Sequence, residues 1–436
     1  MSVQPRNISR GLADHVAKIN ADQVWELGYT GQGVLVAVVD TGIDTAHLDL
    51  AGRMWDGGDE FPNHGYDVYE HDYDPSDQRG HGTKVAGIVC GMGMAGTQTG
   101  VAPDATVMNV KVFGNDAAGS PDAILLEGVQ FAVEHGADVI NMSFGMPGQV
   151  EARRGLYRQV SDNVLAAGIV GVSIAGNERY YMGLGLLNPP YLLSVPGACP
   201  SPWRHPDQAV NQGGVSSTIC VGSVDNDNIV SWFSSPGPVT WADSSNYGDY
   251  PYTPGSTVEI GLIKPDIAAP GNGIVSLKFG TTDEYVADAG TSFAAPCVTG
   301  VIALMLSKNP ELMPAEIDSI LQTTAVKLTE HKSNDTGSGL VDTLAAVQAI
   351  GNDGVDDIKA DEIMVYPNPA KDAINIVGLQ NINSSISLYS IDGKLVKCSE
   401  IIDNQCDISD LQSGIYLLKI KTSEGIFYKK IIKERL

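Results

Sequence analysis

The chain has 436 residues, more than the roughly 250–300 at which a single core stops growing, so two domains are expected. Its composition, 43% hydrophobic and 18% charged, excludes a disordered chain. The formal net charge of −25 argues against nucleic acid as a partner, because phosphate binding needs clustered Lys and Arg, and it suits a soluble, extracellular protein.

Through residue 350, strands alternate with helices. Val34–Val39 is a β-branched run after a glycine and reads as a buried parallel strand. Lys84–Cys90 reads as a helix, Thr106–Val112 as a strand, and Ser120-Pro121 as an N-cap followed by the first residue of a helix over Asp122–His135. A strand over Ala137–Met142, a helix over Glu151–Ala167 and strands over Gly168–Ile174 and Ser217–Val224 follow. Residues 225–265 break the rhythm and read as surface loops around a short hairpin. Ser292–Leu306 and Pro314–Thr324 are the last helices. The pattern predicts an α/β fold: a doubly wound, mostly parallel sheet with helices on both faces.

The charge then changes. Residues 1–350 carry 17 Lys+Arg against 39 Asp+Glu, giving −22. Residues 351–362 carry 1 against 5, giving −4, and residues 363–436 carry 9 against 8, giving +1. Residues 351–362 therefore read as an acidic linker between a domain over 1–350 and another over 363–436. Beyond the linker the period falls to 2, with short strands at Ile374–Ile376, Ser385–Ser390, Lys394–Lys397, Ile415–Ile420 and Phe427–Ile432. Asp392-Gly393 supplies a hairpin turn. A small all-β sandwich is expected here.

Cysteines and termini add little. Cys199–Cys220 and Cys398–Cys406 are the plausible local disulfides, while Cys90 and Cys297 lie in apolar helical runs and read as buried thiols. No stretch reaches the about 18 apolar residues of a membrane span; the longest, Val298–Leu306, fits a buried core helix. Met1–Arg6 shows no signal peptide, so the protein is either cytoplasmic or numbered after removal of a leader.

Four segments carry chemistry. Asp40 ends the first buried strand, in Asp40-Thr41-Gly42, where an ionised carboxylate can hold a histidine in one tautomer; alone, it reads equally as a turn former. His81 opens a helix between Gly80 and Gly82, small residues that let a substrate chain approach, and suits a general base and acid. His47, His64 and His71 lack that setting and read as surface residues. Ser292, after Gly290-Thr291, opens an apolar helix whose free N–H groups favour an oxyanion; the bland alternative is a plain cap. Asn177 ends Ser173-Ile174-Ala175-Gly176-Asn177, and a side-chain amide there can donate to that oxyanion.

Together these segments resemble the subtilisin family of serine endopeptidases, the subtilases, in residue order and spacing. Val101-Ala102-Pro103, Phe233–Pro238 and Lys264–Gly271 extend the resemblance over about residues 22–350. The resemblance implies a secreted endopeptidase acting on protein or peptide substrates, with Asp40, His81 and Ser292 as triad and Asn177 in the oxyanion hole. It implies that Ser143-Phe144-Gly145 pairs with the substrate backbone, and that Ala175, Gly176 and Thr291 line the binding cleft. It also implies structural calcium, with Asp49 at a ligand position. However, Gly91–Gly100, where partner ligands belong, offers only Gln98, and the acidic run Asp67, Glu70, Asp72, Asp74, Asp77 is the alternative site. Lys84, Phe293 and Cys297 depart from the family pattern, and Glu178–Pro190 has no counterpart in it.

The tail, from Val365-Tyr366-Pro367-Asn368-Pro369 through Gly414-Ile415-Tyr416 to Lys429-Lys430-Ile431-Ile432, resembles the C-terminal sorting domain of the type IX secretion system of Bacteroidota. That implies the secretion machinery as a partner and a location outside a Gram-negative cell. An adhesive sandwich is the plainer reading. For the whole chain, a maturase or transamidase acting on one peptide, and a non-catalytic surface adhesin, are the competing functions.

Overall fold

A computed structural model describes residues 11–115, 119–148, 151–208, 213–351, 364–366, 370–377, 385–390, 395–400, 405–412, 414–421 and 426–433. The chain divides into two compact units, Met1–Ile350 and Gly351–Leu436. All but the first residue of the expected acidic linker lies outside the described residues.

In the first unit, two short helices, α1 (Asp14–Lys18) and α2 (Ala21–Glu26), precede strand β1 (Leu35–Asp40). Then come β2 (Gly65–Asp67), α3 (His81–Cys90), β3 (Thr106–Lys111), α4 (Asp122–Glu134), β4 (Val139–Met142), β5 (Met146–Pro147) and α5 (Glu151–Ala166). The middle holds β6 (Val170–Ile174), α6 (Arg179–Gly183), β7 (Ser194–Val195), β8 (Thr218–Val224) and β9 (Ile267–Pro270). The hairpin β10 (Asn272–Leu277) and β11 (Tyr285–Ala289) leads into α7 (Thr291–Lys308), α8 (Pro314–Thr324) and α9 (Thr343–Ala349).

Seven strands form one sheet in the order β2-β3-β1-β4-β6-β8-β9, every neighbouring pair parallel. The expected α/β fold with a parallel sheet is therefore present. Strand order reverses at β1, which pairs with β3 on one side and β4 on the other, and a crevice at the carboxyl ends of these strands is where such sheets bind ligands.

Alternation along β1 decides which face Asp40 serves. Val36 and Val38 belong to the core under α3 and α7, whereas Ala37 and Val39 belong to the core under α4 and α5. Asp40 continues the even series and so faces the side on which α3 and α7 begin. A one-residue slip of β1 would turn its carboxylate to the other face. Helix α7 is the one described helix long and apolar enough to cross a membrane, and it is buried against the sheet as a core helix.

Several expectations need correction. Helix α4 begins at Asp122 with Pro121 in the cap position, so Pro121 is not the first helical residue and the Ser120 hydroxyl caps nothing. His47 is buried, with Nε2 at the Glu284 carbonyl and Nδ1 accepting from Asp49 N–H. Residues 225–265 are more than surface loops. Bridges at Val239–Leu262, Trp241–Asp249 and Tyr252–Ile260 fold them back on themselves. The segment buries Trp241 and Tyr250, and Asp249 takes a two-pronged ion pair from buried Arg158, both contacts at 2.7 Å.

Cys199 and Cys220 are separate buried thiols, not a disulfide, as are Cys90 and Cys297. The Cys398 side chain lies outside the described residues.

In the second unit, β12 (Met364–Tyr366), β13 (Ala373–Val377) and β16 (Gln405–Asp407) form one antiparallel sheet. β14 (Ser385–Ser390), β15 (Leu395–Glu400), β17 (Gly414–Lys421) and β18 (Ile426–Lys433) form another. Ile374 and Ile376 from the first sheet meet Ile386, Leu388, Leu418 and Ile420 from the second in one core, the expected small β-sandwich. β14 and β15 pair antiparallel, while the Asp392-Gly393 turn between them lies outside the described residues.

Candidate active site

Five chain segments converge at the carboxyl edge of the sheet: the ends of β1, β4 and β6, and the starts of α3 and α7. Asp40 is buried, and its Oδ1 accepts from His81 Nδ1 at 2.7 Å and from Thr41 N–H at 2.7 Å. Its Oδ2 is buried with no hydrogen-bond partner among the described residues, so the imidazole and the Thr41 N–H are what the carboxylate holds.

Close approach of α3 to β1 needs two glycines. A Cβ on Gly82 would lie 2.2 Å from the Gly42 carbonyl, and a Cβ on Gly42, at φ +97°, would lie 2.4 Å from the Pro75 carbonyl. The freedom of Gly82 is thus spent on packing within the protein. So is that of Gly80, whose Cβ would lie 2.8 Å from Phe279. Neither glycine is explained by room for substrate.

Asp77 ends the acidic run but is a buried hub. Oδ1 accepts from Thr41 Oγ1, Arg79 N–H and Gly80 N–H at 2.8–3.0 Å, and Oδ2 from Thr83 N–H and Oγ1. Thr41 Oγ1 in turn accepts from Gly82 N–H at 2.9 Å. One carboxylate therefore ties the Asp40 turn to the first turn of α3 and fixes where His81 starts.

Burial pushes His81 down, but the charge of Asp40 and its hydrogen bond push it up further; Lys84 lowers it and Asp77 raises it. The net value lies above the ordinary 6.5. The Asp40 carboxylate thus favours the protonated imidazole, the form that follows proton uptake.

Ser292 lies in the first turn of α7. Its Oγ donates to the Ser143 carbonyl at 3.1 Å, and the Ser143 hydroxyl donates back to the Ser292 carbonyl at 2.9 Å. Pro296 explains the second bond. It stands inside α7 and has no N–H, so the Ser292 carbonyl four residues earlier lacks its helical partner and Ser143 supplies one. Behind Ser143, Asn141 Nδ2 donates to Ser143 Oγ and Asn141 Oδ1 accepts from Thr299 Oγ1, both at 2.9 Å.

Asn177 follows β6. Its Oδ1 accepts from Thr291 N–H and Thr291 Oγ1, both at 3.0 Å, which leaves the amide nitrogen as the outward donor. That nitrogen lies 3.7 Å from a Cβ built on Gly290, beside the start of α7.

The remaining expected cleft residues fall around this core. Ser143, Phe144 and Gly145 lie between β4 and β5 with no backbone ladder partner among the described residues. Phe144 is buried against Phe113. Ala175 is buried, and its carbonyl accepts from Ser194 N–H at 3.0 Å. Gly176 has φ +105° and donates to Thr291 Oγ1 at 3.3 Å. Thr291 is fully buried and spends its side chain on Asn177 and Gly176, so it orients the amide rather than facing the cleft.

Sequence reasoning missed Asn141, Asp77 and Glu178. Glu178 follows Asn177; its carboxyl is pushed up by burial, against the pull of the bond from Ser235 Oγ at 2.8 Å. An acidic residue immediately after the amide was the available signal.

The expected calcium donors do not fit a cation. Asp49 is buried, but Oδ1 accepts from Ala95 N–H at 2.9 Å and Oδ2 from the Tyr285 hydroxyl at 2.8 Å. Gln98 turns its amide nitrogen on the Gly91 and Gly100 carbonyls. In the acidic run, Asp67 is paired with buried Lys111 at 2.6 Å and Asp77 is spent as described. Calcium needs about six to eight converging oxygens. The carboxylates of Asp49, Asp67 and Asp77 are already facing N–H and O–H donors, while Glu70, Asp72 and Asp74 are exposed.

Residues 31–341 match the Subtilase family, and residues 364–434 match the Secretion system C-terminal sorting domain. The chain is 32% identical over 333 residues to Subtilisin E of Bacillus subtilis (strain 168), covering 76% of this chain and 70% of the relative. It is 32% identical to Subtilisin of Bacillus pumilus over 76% of this chain and 98% of the relative. Against Serine protease AprX of Bacillus subtilis (strain 168) identity is 30%, over 72% and 65%. With Asp40, His81 and Ser292 gathered at one sheet edge and the family match covering residues 31–341 around them, the chain belongs to the subtilase family of serine-type peptidases and carries a secretion sorting domain at its C-terminal end.

Proposed function

We propose that this peptidase is a secreted endopeptidase that cleaves protein chains through an acyl-enzyme on Ser292. The observation that carries the reading is the 2.7 Å bond between buried Asp40 and His81 Nδ1, which fixes the imidazole with Nε2 free for the serine proton. For attack, the Ser292 hydroxyl turns from the Ser143 carbonyl to His81 Nε2 and passes its proton there as Oγ bonds to the scissile carbonyl carbon. His81 then gives that proton to the leaving amine. A water then loses a proton to His81 as its oxygen bonds to the acyl carbon; the bond to Ser292 Oγ breaks, Oγ takes the proton back from His81, and the acid leaves.

The tetrahedral oxygen is held by the Asn177 amide and the Ser292 N–H, donors already set before reaction. The backbone of Ser143–Gly145, which has no ladder partner among the described residues, takes the substrate as an added strand. No step runs through calcium.

The sorting domain supports export by the type IX secretion machinery to the surface or surroundings of a Gram-negative cell. Digestion of an unfolded, casein-like protein, with the products mapped by mass spectrometry, tests the substrate class. Cleavage at many sites is expected. Cleavage of a single peptide only, or peptide transfer in place of hydrolysis, would replace this reading with a specific maturase or transamidase.

A further inference from the structure

His81 is gripped from two sides. Asp40 holds Nδ1, and the Phe293 ring lies 5.5 Å from the imidazole, tilted by 44°. Phe293 directly follows Ser292 and is buried. On that same ring sits the ammonium of Lys84, 5.3 Å from its centre. Lys84 is one turn beyond His81 on α3, and its side chain is only 18% exposed. Its ammonium is paired with Asp288 on β11, and its backbone carbonyl accepts from Ser276 Oγ on β10 at 2.6 Å. The hairpin β10–β11 therefore clamps Lys84 at both ends.

We propose that Lys84, seated on Phe293 and held by Asp288, is a positioning residue for His81 whose positive charge opposes that of the imidazolium. The inference rests on reading His81 as the general base. The charged groups acting on the imidazole are Asp40 from the end of β1, Asp77 from the loop before α3, Lys84 from α3 and Asp288 from β11. Helix α7 contributes Ser292 and Phe293, which carry no charge. Arg79, two residues before His81, lies with its guanidinium 6.0 Å from the centre of the Phe113 ring.

Lys84 is the cation in this set that lowers His81, against Asp40 and Asp77. Asp288 feels the same coupling from the other end. Burial raises it, but the bond from Lys84, the Ala289 N–H and the charges of Lys84 and His81 bring it below the usual carboxylate value. Asp40 and Asp77 both favour the proton on His81. Lys84 offsets them without touching the reacting atoms.

The test compares full-length wild type with Lys84→Met, Lys84→Arg and Asp288→Asn. The readouts are the pH profile of kcat/KM on a peptide substrate and an NMR titration of the His81 imidazole in a Ser292→Ala background. Lys84→Met moves the acidic limb to higher pH, so that kcat/KM falls several-fold at about pH 5.5, one unit below the ordinary imidazole value. Asp288→Asn moves the limb the other way, and Lys84→Arg restores it. A purely structural role would not give opposite signs. Should Lys84→Met fail to fold, Asp288→Asn and Lys84→Arg still read the coupling. An imidazole titration unmoved in the folded variants, or moved the same way by Lys84→Met and Asp288→Asn, overturns the inference. Absence of turnover in wild type overturns the catalytic reading instead, and the NMR titration then still decides the role of Lys84.

Discussion

Ser143 and Ser292 hold each other by two opposed hydrogen bonds, Ser292 Oγ to the Ser143 carbonyl at 3.1 Å and Ser143 Oγ to the Ser292 carbonyl at 2.9 Å. The pair locks the start of α7 to the end of β4, and it seats the Ser292 hydroxyl on a backbone acceptor. Replacing Ser143 by Ala leaves the Ser292 carbonyl buried without a donor, because Pro296 cannot supply one. A loss of about 1–3 kcal/mol is expected, read by urea denaturation. An unchanged midpoint would show that the bond contributes nothing.

Asn177→Ala should lower kcat by about 10²–10³ with little change in KM, the size of loss seen when one oxyanion donor is removed from a subtilisin. Thr291→Val should give a smaller loss of the same kind, since it removes one of the two bonds that aim the amide. Stopped-flow or steady-state kinetics on a peptide amide separate the two parameters. A rise in KM alone would place Asn177 in ground-state binding.

Asp40→Asn should cost about 10⁴ in kcat while leaving the fold intact, because an amide favours the wrong tautomer of His81. Retention of near wild-type kcat would mean that another group orients the imidazole.

Asp318 gives stability a pH dependence. Burial is the main cause of its rise to about 6 from an ordinary 3.8, and the Asp266 charge adds to it, against Lys332 and the bonds from Gln322 and the Trp203 N–H. The native state thus keeps a proton that the unfolded chain releases. The stabilisation is present below the unfolded value and is lost as pH rises through the folded one. Asp318→Asn removes this slope, so its melting temperature minus that of wild type should be greater at about pH 7 than at about pH 4. Equal differences at both pH values would refute the assignment.

Cys90, Cys199, Cys220 and Cys297 should resist thiol reagents until the protein unfolds. Burial pushes the Cys90 and Cys199 thiols up to about 12 and raises the other two as well, so little thiolate forms in the native state. Labelling followed by peptide mapping checks this. Native labelling at any of the four, or a bridged Cys199–Cys220 peptide, would contradict it.

How far the sequence reached depended on whether the signal was local. β1, β3, β4, β6 and β8 sit inside the sheet, and their apolar runs are continuous because both faces are covered. The two missed strands, β2 and β9, are its edges. β2 has three residues, and β9 ends in Pro270 with Pro265 just before it, residues that argue against an inner strand but are tolerated at an edge. The hairpin β10–β11 escaped because residues 278–284 separate its strands, too many for a tight-turn signature.

At the site, Asp40, His81, Ser292 and Asn177 each stand in a motif of small residues. Asp77 and Asn141 do not, and Lys84 shows in the sequence only as a departure from the family pattern. What they do depends on Thr41, Ser143 and Asp288, residues brought to them by the fold. Spacing along the chain carries no trace of such contacts. Asp77 in particular sits among acidic residues that are mostly exposed, so composition pointed to solvent.

The central claim is that Ser292 is the nucleophile of a built triad. Reaction of the native protein with a fluorophosphonate probe, followed by mass-spectrometric location of the adduct, tests it most directly. A single adduct on Ser292 is expected, absent in Ser292→Ala and strongly reduced in His81→Ala. No adduct on the wild-type protein, or one that persists in Ser292→Ala, would contradict it.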